Sequence, residues 1–140
     1  MHPFRKAVEE RDEKAIQALL ADAVVFTSPV AFKPYVGKPI TAAILRGVLR
    51  IFEDFRYIRE IHDPGGHDHA LVFETGIVGV PGVKITGCDF LHFNDDGLID
   101  DFMVMVRPLS GATALSEAMG AQFDRIQQEA LELANQSGTA

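Results

Sequence analysis

Residues 70–106 read ALVFETGIVGVPGVKITGCDFLHFNDDGLIDDFMVMV, and this stretch decides the fold. β-branched and aromatic residues dominate it, and turn residues interrupt it at Pro81-Gly82 and at Asn94–Gly97. A further run of the same kind precedes it, across Pro64-Gly65-Gly66. The predicted strands are Tyr57–His62, Ala70–Val80, Val83–Phe93 and Leu98–Val106. Because connections this short join antiparallel neighbours, the stretch predicts one antiparallel meander.

Helical patterns lie on both sides of this meander. Apolar residues recur at helical spacing in the first twenty residues, where Asp12 can cap a second short helix. A strand-like run, Ala23–Ser28, is followed by a segment rich in proline and glycine, 29–38, which predicts a loop. A long helix should run from Pro39 to about Asp54, with the apolar positions Ile40, Ala43, Ile44, Val48, Ile51, Phe52 and Phe55. With a C-terminal amphipathic helix over 115–133, this order predicts the α+β class, with one sheet packed against two or three helices.

Length, composition and charge narrow the possible functions. The chain has 140 residues, of which 47% are hydrophobic, and we expect a single domain over 1–140. Thirteen basic against 20 acidic residues give a net charge of -7, which repels phosphate backbones and anionic lipid. We therefore expect no nucleic-acid or membrane partner. The N-terminus has no apolar run of the signal-peptide kind, so we expect a cytoplasmic protein.

No motif predicts a cofactor or a metal. Nucleotide-binding, serine-hydrolase and zinc-protease signatures do not occur, and the single cysteine, Cys88, excludes a CxxC motif. His67 and His69 would share one face of a strand, which invites comparison with a metal site. They lie beside a turn, where solvated polar residues collect, and no second cluster of ligand-type residues supports them. We therefore predict neither a cofactor nor a metal ion.

Asp89 is the most informative residue of the sequence. Alternation along the strand separates two faces, and Asp89 is the single charged residue on the apolar one. The other members of this face are Val83, Ile85, Gly87, Leu91 and Phe93. A buried carboxylate is costly unless it is paired, hydrogen-bonded or protonated. One interpretation is a pocket carboxyl with a raised pKa that acts as a general acid or base. The alternative is an aspartate that accepts hydrogen bonds from backbone amides at a bulge near Gly87.

Glu74 is a second, weaker candidate for a catalytic carboxyl. If the strands pair symmetrically around Pro81-Gly82, Glu74 lies across from Asp89 or one step away, and two close carboxyls drive one pKa upward. The alternative, which we favour because the sequence does not give the register of the two strands, is that Glu74 faces solvent or meets Lys84.

The chain resembles a known superfamily through features spread over nearly its whole length. These are the helix pair joined at Asp12, the run Ala21–Phe26, Ser28-Pro29, Tyr35–Lys38 ahead of the long helix, Gly87-Cys88-Asp89 and the hairpin Asp95–Phe102. Their order and spacing are similar to those of the nuclear transport factor 2-like superfamily, in its SnoaL-like branch. This branch carries a Trp after the hairpin, whereas this sequence has none.

The resemblance implies a cone: a strongly curved antiparallel sheet wrapped around helices, with an apolar cavity open at one end and dimers that pack through the outer sheet face. Its active members include ketosteroid isomerases, limonene epoxide hydrolases and polyketide cyclases, which place carboxyls in an apolar cavity. Asp89 occupies the kind of position where such a pocket acid lies. The expected pocket residues are Phe26, Ser28, Phe32, Tyr35, Phe55, Leu91 and Met103.

Three functions remain open from the sequence. The first is an isomerase-, cyclase- or hydrolase-type enzyme that acts on a small apolar molecule, with Asp89 as general acid or base and Tyr35 or Ser28 polarising an oxygen. The second is a non-catalytic dimer that binds a lipophilic metabolite. The third is a scaffold whose interior is filled with side chains. A homodimer is expected because the strand Phe102–Val106 is apolar on both faces.

Overall fold

A computed structural model describes residues 2–138 and shows five helices and a six-stranded, curved, unclosed sheet over that range. The helices are α1 Pro3–Glu9, α2 Glu13–Ala18, α3 Lys38–Ile51, α4 Leu109–Ala121 and α5 Phe123–Gly138. The strands are β1 Leu20–Thr27, β2 Tyr35–Val36, β3 Phe52–His62, β4 Asp68–Ile77, β5 Val80–Phe93 and β6 Ile99–Arg107. This arrangement confirms the predicted α+β class and the antiparallel meander, which is β3 to β6.

The sheet has the strand order β2-β1-β6-β5-β4-β3. Neighbours pair antiparallel except β1 and β6, which run parallel. A parallel pair needs a long crossover, and here the whole of β2, α3 and the first three meander strands lies between the two. The sequence pattern did not indicate this pairing, because alternation reports the faces of a strand and not the identity of its neighbour.

The two N-terminal helices form as predicted. Asp12 caps α2, and its carboxylate accepts a hydrogen bond from the Ala15 amide at 3.1 Å. Apolar side chains of these helices enter the core beneath the sheet, where Phe4 meets Phe102 and Phe102 meets Phe26 with ring centroids 5.3 Å apart in both pairs. Burying side chains of this size contributes about 1.5–3 kcal/mol each. The inner face of the sheet is thereby fixed to the helices.

The predicted end of the long helix was wrong by three residues. α3 ends at Ile51, and Phe52 is already the first residue of β3. The spacing of Phe52 and Phe55 fits a helix, but it comes from a bulged strand in which Asp54 has a φ of 56°. One extra residue in the strand brings side chains three positions apart onto the same side, and the two rings stack at 5.6 Å.

Two other boundaries also differ from the predictions. The C-terminal apolar period is divided between α4 and α5, because the chain leaves the helix at Gln122 and starts a new one at Phe123. The tight turn of the β4–β5 hairpin lies at Val78-Gly79 and not at Pro81-Gly82. Gly79 has a φ of 79°, a conformation that glycine adopts without steric cost.

Candidate functional site

Asp89 lies in the middle of β5 on the face that the helices cover. Its neighbours in the sheet are Leu71 on β4 and Val104 on β6, and the pairing is regular on both sides of it. Only 7% of the residue is exposed. The alternative interpretation is therefore wrong: no bulge near Gly87 provides backbone amides as hydrogen-bond donors to the carboxylate. Its hydrogen-bond donor comes from another strand.

That partner is Tyr57 on β3. Its hydroxyl donates a hydrogen bond to Asp89 Oδ2 over 2.7 Å, and Tyr57 is itself 5% exposed. Among the side chains of residues 2–136 and the amides of residues 2–138, no other group hydrogen-bonds the Asp89 carboxyl. The register of β3 against β4 shifts on both sides of Tyr57, between Glu53 and Arg56 and again before Arg59. These register shifts change which face of the sheet each β3 side chain lies on, and Tyr57 lies on the same face as Asp89.

Phe73 and Gly87 give Tyr57 its support. A Cβ atom on Gly87 would collide with the far end of the Phe73 ring, so the glycine leaves the room that this ring occupies against β5. Phe73 in turn contacts Phe55 at 5.0 Å and Tyr57 at 6.3 Å between ring centroids. The glycine therefore makes room for an aromatic ring that packs against Tyr57.

Burial changes the acidity of both members of this pair. Desolvation raises the pKa of Asp89 to about 7, and the hydrogen bond from Tyr57 opposes this rise. Burial, followed by the nearby Asp89 charge, raises the pKa of Tyr57 well above its ordinary value. The phenol consequently keeps its proton and acts as a donor, while the carboxyl of Asp89 gains or loses its proton near neutral pH.

Both residues border a small internal space of about 70 Å³. Nearly all of its wall is apolar and comes from the helices and from the inner face of the sheet. Beside Asp89 and Tyr57, a hydroxyl group, that of Ser28, belongs to the wall. Ligand pockets in proteins commonly enclose about 300–1,000 Å³. The present space would hold a few atoms, so a larger ligand requires the wall to move.

The structure places three of the expected pocket residues in this wall: Phe26, Ser28 and Phe55. The other four lie elsewhere. Phe32 is 98% exposed, Tyr35 packs on Phe123 with centroids 6.1 Å apart, and Leu91 is buried in the core outside the wall. Met103 lies on the opposite face of β6, because Phe102 and Val104 are the residues that point to the helices.

Glu74 does not share a face with Asp89, which corrects the idea of a carboxyl pair. It pairs with Thr86 and forms an ion pair with Arg56 at 2.6 Å on the outer surface. The hairpin turns at Val78-Gly79 and the register then shifts between Thr75 and Ile77, so the strands do not pair symmetrically around Pro81-Gly82. Asp89 therefore faces Leu71 instead of Glu74.

Tyr57 is the site residue that the sequence analysis missed. The sequence predicts a strand for Tyr57, but two register shifts in β3 mean that alternation does not predict which face of the sheet this side chain lies on. A weak signal existed, since a buried carboxylate requires a donor and the chain has only two tyrosines.

Comparison with known proteins identifies the family to which this chain belongs. The profile of the SnoaL-like domain matches residues 2–102. This chain belongs to the SnoaL-like domain family. A search of curated proteins found no significant match.

Solved structures agree with this family. The SnoaL-like chain is 38% identical to a steroid delta-isomerase from Pseudomonas aeruginosa, over 89% of each chain and with a TM-score of 0.81. It is 37% identical to a bacterial protein with a cystatin-like fold from Silicibacter pomeroyi, over 86% of this chain and 82% of that one, with a TM-score of 0.78. PrhC from Penicillium brasilianum shares the fold at 16% identity, over 92% of this chain and 87% of that one, with a TM-score of 0.63.

Within the described part of this SnoaL-like chain, no helix is long and apolar enough to cross a membrane.

Proposed function

We propose that this protein binds a small, mostly apolar molecule between the helices and the sheet, and that Asp89 exchanges a proton with it. The observation that carries the proposal is the Asp89 carboxyl itself. It borders an apolar space, it has one hydrogen-bond partner among the side chains described for residues 2–136, and its pKa is raised to about 7. A general base works best when its pKa lies near the operating pH.

The reaction that suits this arrangement is the migration of a double bond next to a ketone. Asp89 would remove a proton from the carbon between the carbonyl and the double bond, and would return it at the far end of the double bond. The products are the conjugated ketone and the original carboxylate, so no other reactant is consumed. The 38% identity to a protein named as a steroid delta-isomerase supports a substrate of this class.

The volume of the space affects the choice of substrate. At about 70 Å³ it is too small for a steroid nucleus, so binding requires the wall to open. A single-ring ketone demands less opening than a four-ring one. Two probes therefore separate the chemistry from the size of the pocket: cyclohex-3-enone and a 3-oxo-Δ5-steroid.

The test is the rate at which the conjugated ketone forms, followed by its ultraviolet absorbance. We expect turnover of at least one probe and a loss of about 10²–10⁴-fold in Asp89→Asn. Asp96→Asn, in the exposed turn before β6, removes the same charge far from the pocket and should leave the rate unchanged. Equal rates for wild type and Asp89→Asn would contradict the proposal.

A second candidate is binding without turnover, and one observation favours it. The polar groups of the wall are already engaged, since Tyr57 bonds Asp89 and Ser28 Oγ accepts the Val30 amide at 3.1 Å. Such a pocket could hold a hydroxyl or an amine through Asp89 alone. Native mass spectrometry of freshly purified protein separates the two: a co-purifying molecule that Asp89→Asn loses, with no turnover of either ketone, supports binding only.

We also propose a homodimer that packs through the outer face of the sheet. Ile61, Ala70, Phe90 and Met103 are successive cross-strand neighbours on β3, β4, β5 and β6, and form an apolar row across that face. Ile61 is 49% exposed and Phe90 is 37% exposed. A row of this kind suits a second copy of the same sheet.

A further inference from the structure

Three histidine rings meet where α1 begins and the β3–β4 hairpin closes. His62, the last residue of β3, pairs directly with His69 on β4. His2, just before α1, stacks on His62 with centroids 5.6 Å apart and approaches His69 at 4.7 Å. One ring nitrogen of each histidine lies within 4.8 Å of the other two.

Oxygen acceptors on the outside of the cluster favour a hydrogen on the outward nitrogen of two of the rings. His69 Nε2 lies 3.0 Å from the Gly66 carbonyl, which can only accept, so this nitrogen bears hydrogen. His62 Nε2 lies 3.3 Å from the Glu60 carboxylate, which favours a hydrogen on this nitrogen. A carboxylate or carbonyl behind the ring is the usual arrangement for histidines that ligate a metal.

When both rings are neutral and carry hydrogen on the outward nitrogens, their inner nitrogens face each other as lone pairs. The two Nδ1 atoms are 2.6 Å apart, a distance at which two acceptors repel unless a positive charge lies between them. A metal ion supplies that charge and accepts both lone pairs. Around a tetrahedral zinc ion with Zn–N bonds of about 2.0–2.1 Å, nitrogens lie about 3.3 Å apart. The rings would have to separate by about 0.7 Å, which their partial exposure permits.

We propose that His2, His62 and His69 bind one divalent transition-metal ion, with Zn²⁺ as the best-suited probe, through one nitrogen of each ring. Three imidazoles suit borderline ions such as Zn²⁺, and three protein ligands leave a fourth position for water. The proposal is independent of Asp89. It also reverses the sequence prediction of no metal, which considered only His67 with His69 and overlooked that the hairpin places His62 opposite His69.

His2 gives the proposal a signature of its own. Its Nδ1 now accepts the Phe4 amide at 3.1 Å and caps α1. If the metal takes Nδ1, that lone pair is used; if the metal takes Nε2, Nδ1 must carry the proton. In both cases the Phe4 amide loses its acceptor, so the amide resonance of Phe4 should move when the metal binds.

The test uses the full chain with its own N-terminus, a C-terminal affinity tag that is removed, and prior treatment with a chelator. Zn²⁺ is titrated by calorimetry, and Co²⁺ is added separately to record the visible absorption of a tetrahedral site. We expect about one Zn²⁺ per chain, and affinity more than tenfold weaker in His69→Gln. His2→Asn should weaken zinc binding as strongly while it keeps α1 capped, because asparagine is a good N-cap residue.

His92→Gln is the matched control, since His92 lies on β5 outside the cluster, where it contacts Asp100. The site is supported if zinc binding is kept in His92→Gln and lost in His2→Asn and His69→Gln. The Phe4 amide resonance of the wild type should also shift when zinc binds. If the wild type binds no zinc, the proposal is overturned. The short contact between His62 and His69 is then explained by a proton shared between the two rings. Equal weakening by His92→Gln, or an unmoved Phe4 amide at zinc saturation, would overturn it as well.

Discussion

Tyr57 and Asp89 are joined by a 2.7 Å hydrogen bond although their strands, β3 and β5, are not neighbours. The phenol reaches across β4, where the Phe73 ring lies against Gly87. The pair thus depends on the register shifts that flank Tyr57 in β3 and on the space that Gly87 leaves for Phe73. It places a carboxyl that can change its charge near neutral pH in an otherwise apolar interior.

The first prediction concerns stability against pH. The Asp89 carboxyl has a pKa of about 7 in the folded chain, against 3.8 as its ordinary value. The folded state therefore binds the proton more tightly, and stability falls as the pH rises through this interval. Asp89→Asn removes this loss, so its stability relative to wild type should increase by roughly 2 kcal/mol between pH 5 and pH 7. Denaturant unfolding at both pH values measures it; a constant difference would contradict the raised pKa.

The second prediction isolates the hydrogen bond. Tyr57→Phe removes the one interaction that holds the pKa of Asp89 down, so that pKa should rise further. A hydrogen bond to a charged group contributes about 1.5–3 kcal/mol, equivalent to roughly one to two pKa units. The carbonyl stretch of a protonated carboxylic acid, followed by infrared difference spectroscopy against pH, reports the shift. Tyr35→Phe, away from the pocket wall, is the control and should change nothing.

The third prediction compares two glycines. Gly87→Ala places a methyl group against the Phe73 ring and should destabilise the protein by about 1–3 kcal/mol. Gly120→Ala, in α4 with open space around it, should instead stabilise the protein by about 0.5–1 kcal/mol. Chemical unfolding of the two variants gives both signs. Destabilisation of equal size at both positions would mean that the Phe73 contact has no special role.

The fourth prediction concerns assembly. Light scattering should give a dimer for the wild type, and Phe90→Glu should convert it to a monomer because a charge then enters the apolar row. Leu131→Glu introduces the same charge at an exposed position of α5 and should leave the dimer intact. A monomeric wild type at micromolar concentration would refute the proposed dimer.

Much of this architecture could be predicted from the sequence, and the exceptions have a common cause. The meander and the position of Asp89 on its apolar face follow from alternation, and the cap at Asp12 follows from local chemistry. Where a bulge adds a residue, alternation fails. At Asp54 this extended the predicted helix too far, and beside Tyr57 it hid the partner of Asp89. The register shift after Thr75 likewise moved Glu74 away from Asp89.

The histidine cluster was hidden for a different reason. His62 and His69 face each other across a hairpin that the sequence does predict, whereas His2 arrives from the other end of the chain through the packing of α1. Sequence spacing carries no information on such a meeting, because it depends on the tertiary fold.

The central claim is that Asp89 titrates near neutral pH inside the apolar space. The measurement that tests it most directly is a ¹³C NMR titration of the aspartate side-chain carboxyls, with Asp89→Asn used to assign the signal. We predict a pKa of about 7 for Asp89. A value near 4, the ordinary range of an exposed aspartate, would contradict the account.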